Sequence, residues 1–379
     1  MSYVVTGATG FYGSHFLAAL LAARPRARVV ALVRNDPAPA RERLRAALEH
    51  TGRTLDDAAL DRVTPVRIRL STPYLGLGGP EYRALAADAE AVCHFAGHIG
   101  LTAHDRLRPT NVGGTAEVLR LAAAASPDVR VVHISTAYVA GARRRGTAPE
   151  RIVPPEGGFL SPYEESKYEA ECLVRAYCER HGRAALILRP GVLVTDRPYR
   201  PGLPNHPLGV LGAKAAELLR LSSRAGPDAL FSPARPATAR IPGSPRATLD
   251  LLQVPYAAEA AVELVTRVPP PPAGQAGVVH LVHARGTPVQ TLLDALAGHL
   301  PGLDLTLSPD ADRPTPLETL LLRMAQGAHL YTTLERDYER TALRRLLPHL
   351  PDPDVLDPGY LRRALAPPVR ARSGTEPQR

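Results

Sequence analysis

The sequence predicts an α/β protein: a doubly wound, parallel sheet with a smaller, mostly helical C-terminal lobe. Three observations predict it. Short β-branched runs alternate with helical stretches over the first 190 residues, and such alternation builds βαβ units around a parallel sheet. A glycine-rich turn falls directly between the first strand and the first helix. The chain has 379 residues and is 45% hydrophobic, enough for two lobes at roughly 150 residues each.

The strands are expected at Tyr3–Val5, Val29–Val33, Val63–Ile68, Ala91–His94, Val129–Ile134 and Ala185–Leu188. Between them, Ala/Leu/Arg/Glu-rich stretches carry helical spacing at Phe16–Ala23, Ala40–Glu49, Tyr82–Ala89, Thr115–Ala125 and Tyr163–Arg180. After Arg189–Pro190–Gly191 the character changes. Residues 195–246 are dense in Pro and Gly, with one helical segment near Val210–Arg220, and read as long loops over a ligand cleft. A helix near Tyr256–Val265 follows, then a stiff proline connector at Val268–Gly274 and a late strand at Val278–Val282. The remainder is mostly helical, with a last ordered turn at Gly359–Leu365. This predicts a nucleotide-binding domain over 1–194 completed by elements near 247–282, a substrate lobe from 195–246 and 283–366, and a disordered tail over 367–379.

Composition narrows the function. The three cysteines, Cys93, Cys172 and Cys178, form no disulfide framework, which fits a reduced, cytoplasmic protein. No signal peptide is read at the start, and no apolar run reaches the ~18 residues of a membrane span. The net charge of +9 is dispersed, aromatic residues are few and no nucleic-acid module is present, so nucleic acid is not an expected partner. No metal site is expected. An anionic partner such as a nucleotide, an acidic protein or a phosphopantetheine arm fits the charge. Of 46 basic residues only Lys167 and Lys214 are lysine. A lysine retained in so arginine-rich a chain points to a place that needs an ammonium group.

Thr6–Gly13 reads TGATGFYG, with Gly7, Gly10 and Gly13 in G-x-x-G-x-x-G spacing. The first glycine permits the tight turn, the second lets backbone approach a pyrophosphate, and the third lets helix and strand pack closely. The anion then rests on the free N–H groups of the helix start. This context makes the sheet Rossmann-type and marks Thr6, Gly7, Thr9, Gly10, Phe11, Tyr12 and Gly13 as dinucleotide contacts. The second strand ends ALVRND. Arg34 stands where an acidic residue would grip the ribose 2′-hydroxyl, with Arg41 and Arg43 downstream. A guanidinium there suits a 2′-phosphate and favours NADP(H) over NAD, although Asp36 follows two residues later.

Tyr163 and Lys167 stand four apart in a helical stretch, on one face. Ser135 and Thr136 fall at the end of the fifth strand, at the sheet edge where open α/β folds bind ligands. Hydride reduction of a carbonyl needs a donor to the developing oxyanion. A phenol can serve, a nearby ammonium should lower its pKa, and a threonine hydroxyl adds a second donor. Thr136, Tyr163 and Lys167 are therefore the candidate catalytic set. Lys167 would also hold the nicotinamide ribose.

TGATGFYGSHFL, HFAG at His94–Gly97, NVGGT at Asn111–Thr115, STAYVAG, YEESK and RPG together resemble the extended short-chain dehydrogenase/reductases. With ALVR followed by ARERLRAAL and with YLGLGGPEYRALAADAEAVCH, the chain is most similar to their thioester-reductase branch. That branch includes the reductase domains of carboxylic acid reductases and of nonribosomal peptide and polyketide synthases, with fatty acyl-CoA reductases as relatives. The resemblance covers the chain to about residue 195. It implies Thr136, Tyr163 and Lys167 as catalytic residues, and the glycines, Arg34, Arg43 and Ala96 as coenzyme contacts. Asn111, His94 and His98 are read as structural. The implied reaction is NADPH-dependent reduction of an acyl thioester, brought in trans on a carrier protein or coenzyme A, to an aldehyde or alcohol. Pairing of protomers through the nucleotide lobe is common among such proteins. The alternatives on the same fold are a ketoreductase, a sugar-nucleotide epimerase or dehydratase, and a non-catalytic dinucleotide sensor. This sequence departs from the family at Arg69, near Thr195, and at Pro255.

Overall fold

Seven parallel strands organise the computed structural model, which describes residues 1–101, 104–226, 229–311 and 313–368. In chain order the first half runs β1 (Ser2–Thr6), α1 (Phe11–Ala23), β2 (Val29–Val33), α2 (Pro37–His50), β3 (Val63–Arg67), α3 (Gly79–Asp88) and β4 (Ala89–His94). It continues through α4 (His104–Leu107), α5 (Gly114–Ala124), β5 (Arg130–Ile134), a small strand β6 (Arg145–Ala148), α6 (Pro162–His181) and β7 (Ala185–Pro190). Each expected strand and helix of this half is present. Helices α1 and α2 begin earlier than hydrophobic spacing alone indicates, because Gly10 and the Pro37 position supply the first turns.

The second half runs β8 (Val192–Val194), α7 (Pro207–Ala225), β9 (Ala237–Pro242), β10 (Thr248–Leu249), β11 (Leu251–Gln253), α8 (Val254–Thr266), β12 (Ala276–Leu281) and β13 (Thr287–Pro288). It ends with α9 (Val289–Ala297), β14 (Leu303–Ser308), α10 (Pro316–Met324), β15 (Glu335–Tyr338), α11 (Thr341–Leu346) and α12 (Pro358–Ala364). The expected late strand is β12, at one edge of the main sheet. The expected disordered tail lies, from residue 369 on, outside the described residues.

The main sheet has the order β12-β7-β5-β4-β1-β2-β3, and every pairing in it is parallel. The order reverses between β1 and β4, and ligands of open α/β sheets bind outside the strand ends at such a switch point. Both faces are covered. One core joins α1, α2 and α8 to the sheet through Phe16, Leu20, Leu44, Ala257 and Val265. The other joins α3, α5 and α6 through Leu85, Val118, Leu121 and Val174. Strands buried on both faces read as unbroken apolar runs, as β1 does.

A further core gathers Val194, Leu208, Phe231, Ile241, Leu303 and Leu361 from α7, α9 and α12 and the parallel pair β9–β14. Helices supply most of the regular structure there. Residues 195–246 hold more order than their proline content suggests. Pro207 occupies the first turn of α7, His206 caps it by accepting from the Gly209 N–H, and the helix spans nineteen residues. From α10 the chain returns towards the sheet. β15 pairs in parallel with β6, and Leu343 and Leu347 enter the core beneath α1 and α8.

Candidate active site

The glycine turn is shaped by two close approaches. Gly7 has φ +71°, and a Cβ there would lie 2.6 Å from the Ala96 amide nitrogen. A Cβ on Gly13 would lie 2.2 Å from the Gly7 carbonyl oxygen. Neither position accepts a side chain without moving backbone. Gly10 precedes α1, whose first turn has neither a side-chain cap nor an acidic residue. Its N–H groups are therefore left for an anion from outside the chain. Gly10 is exposed and Thr9 half-buried. The Tyr12 hydroxyl donates to the Ala257 carbonyl at 2.9 Å and its ring meets Phe95, so Tyr12 offers a ligand its backbone. This turn fits a dinucleotide pyrophosphate.

The loop after β4 is held beside that turn by buried polar contacts. Thr6 Oγ1 accepts from the Ala96 N–H at 3.1 Å and lies 2.7 Å from His94 Nδ1. The other nitrogen of His94 lies 3.2 Å from Thr115 Oγ1. Burial, then the Lys167 ammonium, brings the His94 pKa down to about 3, which makes it a neutral packing residue, as the sequence implied. Asn111 is also structural. Its Oδ1 accepts from the His98 N–H at 2.7 Å, and its Nδ2 donates to the His98 carbonyl and to Ser166 Oγ. It ties the loop that bears Ala96 and His98 to α6.

Helix α6 sets the remaining residues. Ser161 caps it, Pro162 occupies its first turn, and Glu164 accepts from the Leu160 N–H. This places Tyr163 in the first turn and Lys167 one turn on. Thr136 stands just beyond the end of β5 and neighbours Tyr163; its hydroxyl donates to the Pro190 carbonyl at 3.5 Å and accepts from the Tyr138 N–H at 3.3 Å. Lys167 is buried, and its ammonium donates to the Ile134 carbonyl at 2.5 Å. Gly97 lies beside it, since a Cβ there would be 4.0 Å from Nζ. Burial lowers the Lys167 pKa to about 8, with Glu171 opposing. The expectation that Lys167 lowers the Tyr163 pKa is corrected. Burial pushes that phenol up to about 12, with the neighbouring Thr136 hydroxyl opposing. A phenol held protonated is the form a proton donor requires.

The structure thus brings Thr136, Tyr163 and Lys167 together at the carboxyl edge, and Thr6, Gly7, Ala96, Gly10 and Gly13 around one turn. Arg34 lies exposed just past β2, and Arg43 is exposed on α2. Arg43 has no described contact with the glycine turn. Among the described residues neither arginine takes part in an ion pair, whereas Asp36 pairs with Arg67 at 2.6 Å. No group of three or more His, Cys, Asp or Glu side chains could hold a metal among the described residues, and no helix is long and apolar enough to cross a membrane.

Several residues around the site were not singled out from sequence. Glu171, one turn beyond Lys167, forms a fully buried, two-pronged ion pair with Arg189 of β7 at 2.8 and 2.6 Å. Its spacing of four from Lys167 on one helix face was the available signal. Tyr331 meets Ser161 Oγ at 3.2 Å and stacks edge-on against Tyr138. Arg336 donates to the Gly141 carbonyl at 2.5 Å and lies over the rings of Tyr138 and Tyr338. These last contacts come from the far end of the chain and no local motif announces them.

The family described as Male sterility protein, an NAD-binding family, matches residues 5–218, more than half of the chain. An isonitrile lipopeptide synthase of Streptomyces coeruleorubidus is 34% identical over 206 residues, covering 54% of this chain and 14% of that protein. An aldehyde reductase of Aspergillus flavus is 32% identical over 200 residues, covering 50% of this chain and 19% of that protein. The chain therefore corresponds to a small part of such relatives' length. The solved terminal R domain of the myxalamid PKS-NRPS pathway superposes with a TM-score of 0.70 at 26% identity, covering 96% of this chain and 89% of that one. A UDP-glucuronic acid 4-epimerase of Bacillus cereus, solved with NAD, shares the fold at 18% identity with a TM-score of 0.65, over 96% of this chain and 98% of that one. With the glycine turn, the parallel sheet and the Tyr163–Lys167 helix in place, the chain belongs to the Male sterility protein family of extended short-chain dehydrogenase/reductases, which are NAD(P)-binding oxidoreductases.

Proposed function

We propose that the protein reduces an acyl thioester, carried on a carrier protein or on coenzyme A, with NADPH as reductant. The observation that carries this reading is the placing of Thr136 beside Tyr163 at the end of β5, with the buried Lys167 ammonium one helical turn along α6. The likeness to a terminal R domain over nearly the whole chain supports it, as do the synthase and aldehyde-reductase names of the relatives.

The bound dinucleotide supplies the hydride. Thr136 and Tyr163 donate hydrogen bonds to the carbonyl oxygen as it gains charge. Tyr163, protonated at neutral pH, passes its proton to that oxygen and leaves a tetrahedral hemithioacetal. Its collapse breaks the C–S bond and yields a thiol and an aldehyde, which a second reduction would carry to an alcohol. Lys167, with its pKa near 8, is mainly an ammonium at neutral pH. Its place is to orient the ribose of the dinucleotide. Arg34, exposed and without an ion pair among the described residues, is free to meet a 2′-phosphate. The acidic residue that would favour NADH instead, Asp36, is engaged by Arg67. These contacts favour NADPH.

Coenzyme oxidation should be followed with acyl-carrier, acyl-CoA, aldehyde and ketone substrates, each with NADPH and NADH. Turnover of acyl thioesters with NADPH preferred is the expected result. Activity confined to ketones or to sugar nucleotides would overturn the reading.

A further inference from the structure

A cavity of about 300 Å³ lies away from the Thr136–Tyr163 site. It lies where α1, the turn after α2, the first turns of α8 and the chain after β8 converge. Its lining includes His15, Arg53 and Arg197. No residue of the glycine turn and no residue at the end of β2 lines it. His15 is only 6% exposed, yet among the described residues its ring nitrogens have no hydrogen-bond partner. Its pKa is brought down to about 3 by burial and then by neighbouring cationic groups. Those neighbours are His50 at the end of α2, Arg53, Arg197 and the α7 cap His206, and Arg200 acts in turn on His50. Arg197 lies against Gly52, in the space a side chain would take. The carboxylate that pairs with this cluster among the described residues is Glu259 of α8, on Arg53.

Arg197 is exposed and has no ion pair among the described residues, and with the buried His15 and the Glu259-paired Arg53 it leaves the pocket with an excess of basic groups that an anion would offset. Guanidinium groups pair with phosphate through two parallel hydrogen bonds, and a protonated imidazole adds a third charged donor. We propose that this cavity binds a phosphate group, at a site separate from the dinucleotide groove. The phosphate could belong to a phosphopantetheine arm or be free in solution. The site does not depend on the thioester reading, since either source would occupy it.

The test is calorimetric titration of the NADPH-saturated protein with inorganic phosphate, 4′-phosphopantetheine and pantetheine. Phosphate and phosphopantetheine should bind and pantetheine should not. Binding should draw a proton onto His15, read as a heat that varies with the ionisation enthalpy of the buffer. Arg197→Ala, and Arg53→Ala with Arg197→Ala, should each weaken binding by about tenfold or more and leave NADPH affinity unchanged. Phosphopantetheine binding tighter than phosphate assigns the site to the acyl donor's arm, and equal binding assigns it to free phosphate. The proposal is overturned if neither phosphate binds, if NADPH abolishes their binding, or if the folded Arg197→Ala protein binds them as the wild type does.

Discussion

Replacing Lys167 by methionine should stabilise the coenzyme-free protein at neutral pH while removing its coenzyme-dependent activity. Lys167 is 5% exposed, and its pKa falls from 10.5 to about 8, chiefly because burial penalises the charge. That difference corresponds to roughly 3 kcal/mol against the folded state at ~1.4 kcal/mol per pH unit. Methionine keeps the aliphatic stem but leaves the Ile134 carbonyl without its donor, a loss of about 1 kcal/mol. The net gain is about 2 kcal/mol, a rise of roughly 2–3 °C in Tm for a chain of this size. The pH dependence has a definite sign. Below about pH 8 the lysine is protonated in both folded and unfolded chains, and the whole cost is present. Between about 8 and 10.5 the folded chain sheds this proton first, so the wild type recovers. Above 10.5 the cost is gone. Scanning calorimetry of both proteins near pH 7 and pH 10 measures this directly. A variant less stable than wild type at pH 7, or a difference that does not shrink with pH, refutes the reasoning.

Four further outcomes follow from the same geometry. Tyr163→Phe should lower kcat by about 10²- to 10⁴-fold, the usual contribution of a positioned proton donor, with coenzyme affinity preserved in a fluorescence titration. Gly13→Ala forces a methyl group to within 2.2 Å of the Gly7 carbonyl, and coenzyme binding should be lost together with about 1–3 kcal/mol of stability. Glu171→Gln strands a buried guanidinium, and urea unfolding should show a loss of ~3–5 kcal/mol. Arg34→Ala should raise the KM for NADPH by about ten- to a hundredfold, since hydrogen bonds to charged groups are worth ~1.5–3 kcal/mol, and should leave that for NADH unchanged.

What was legible in the sequence was local. A turn needs its glycines within a few residues, and TGATGFYG declares both the strand before it and the helix after it. A helix face needs only a spacing of four, so Tyr163 and Lys167 could be paired without knowing the fold. The strands of the sheet were readable because burial on both faces leaves uninterrupted apolar runs such as Val29–Val33. Contacts that close a large sequence separation left no such trace. The parallel pair β9–β14 joins residues more than sixty apart, and its strands, ATARIP and LDLTLS, interleave polar residues instead of forming an apolar run. Arg336 reaches Gly141 and the ring of Tyr138 from almost two hundred residues away. The direction of the Tyr163 pKa was misread for a related reason. Spacing places an ammonium on the same helix face, but in the folded chain Lys167 is not among the groups that move the phenol, and burial raises its pKa.

The scarcity of lysine then acquires a physical cause. A guanidinium at position 167 would keep its proton at any accessible pH and would need more donors satisfied than the Ile134 carbonyl can accept. An ammonium is compact enough for that single carbonyl, and the burial that brings its pKa near 8 leaves it charged at neutral pH. The same burial holds Tyr163 protonated. Beneath both, Glu171 grips Arg189, so α6 is fastened to β5 through Lys167 and to β7 through Glu171. The two strands are neighbours in the sheet, and the Thr136 hydroxyl sits at the end of one of them. Two buried charge-assisted contacts thus hold α6, and Tyr163 on it, against the strand end that leads to Thr136. This is why the loss from Glu171→Gln should appear both in stability and in turnover, although its carboxylate meets neither substrate nor coenzyme.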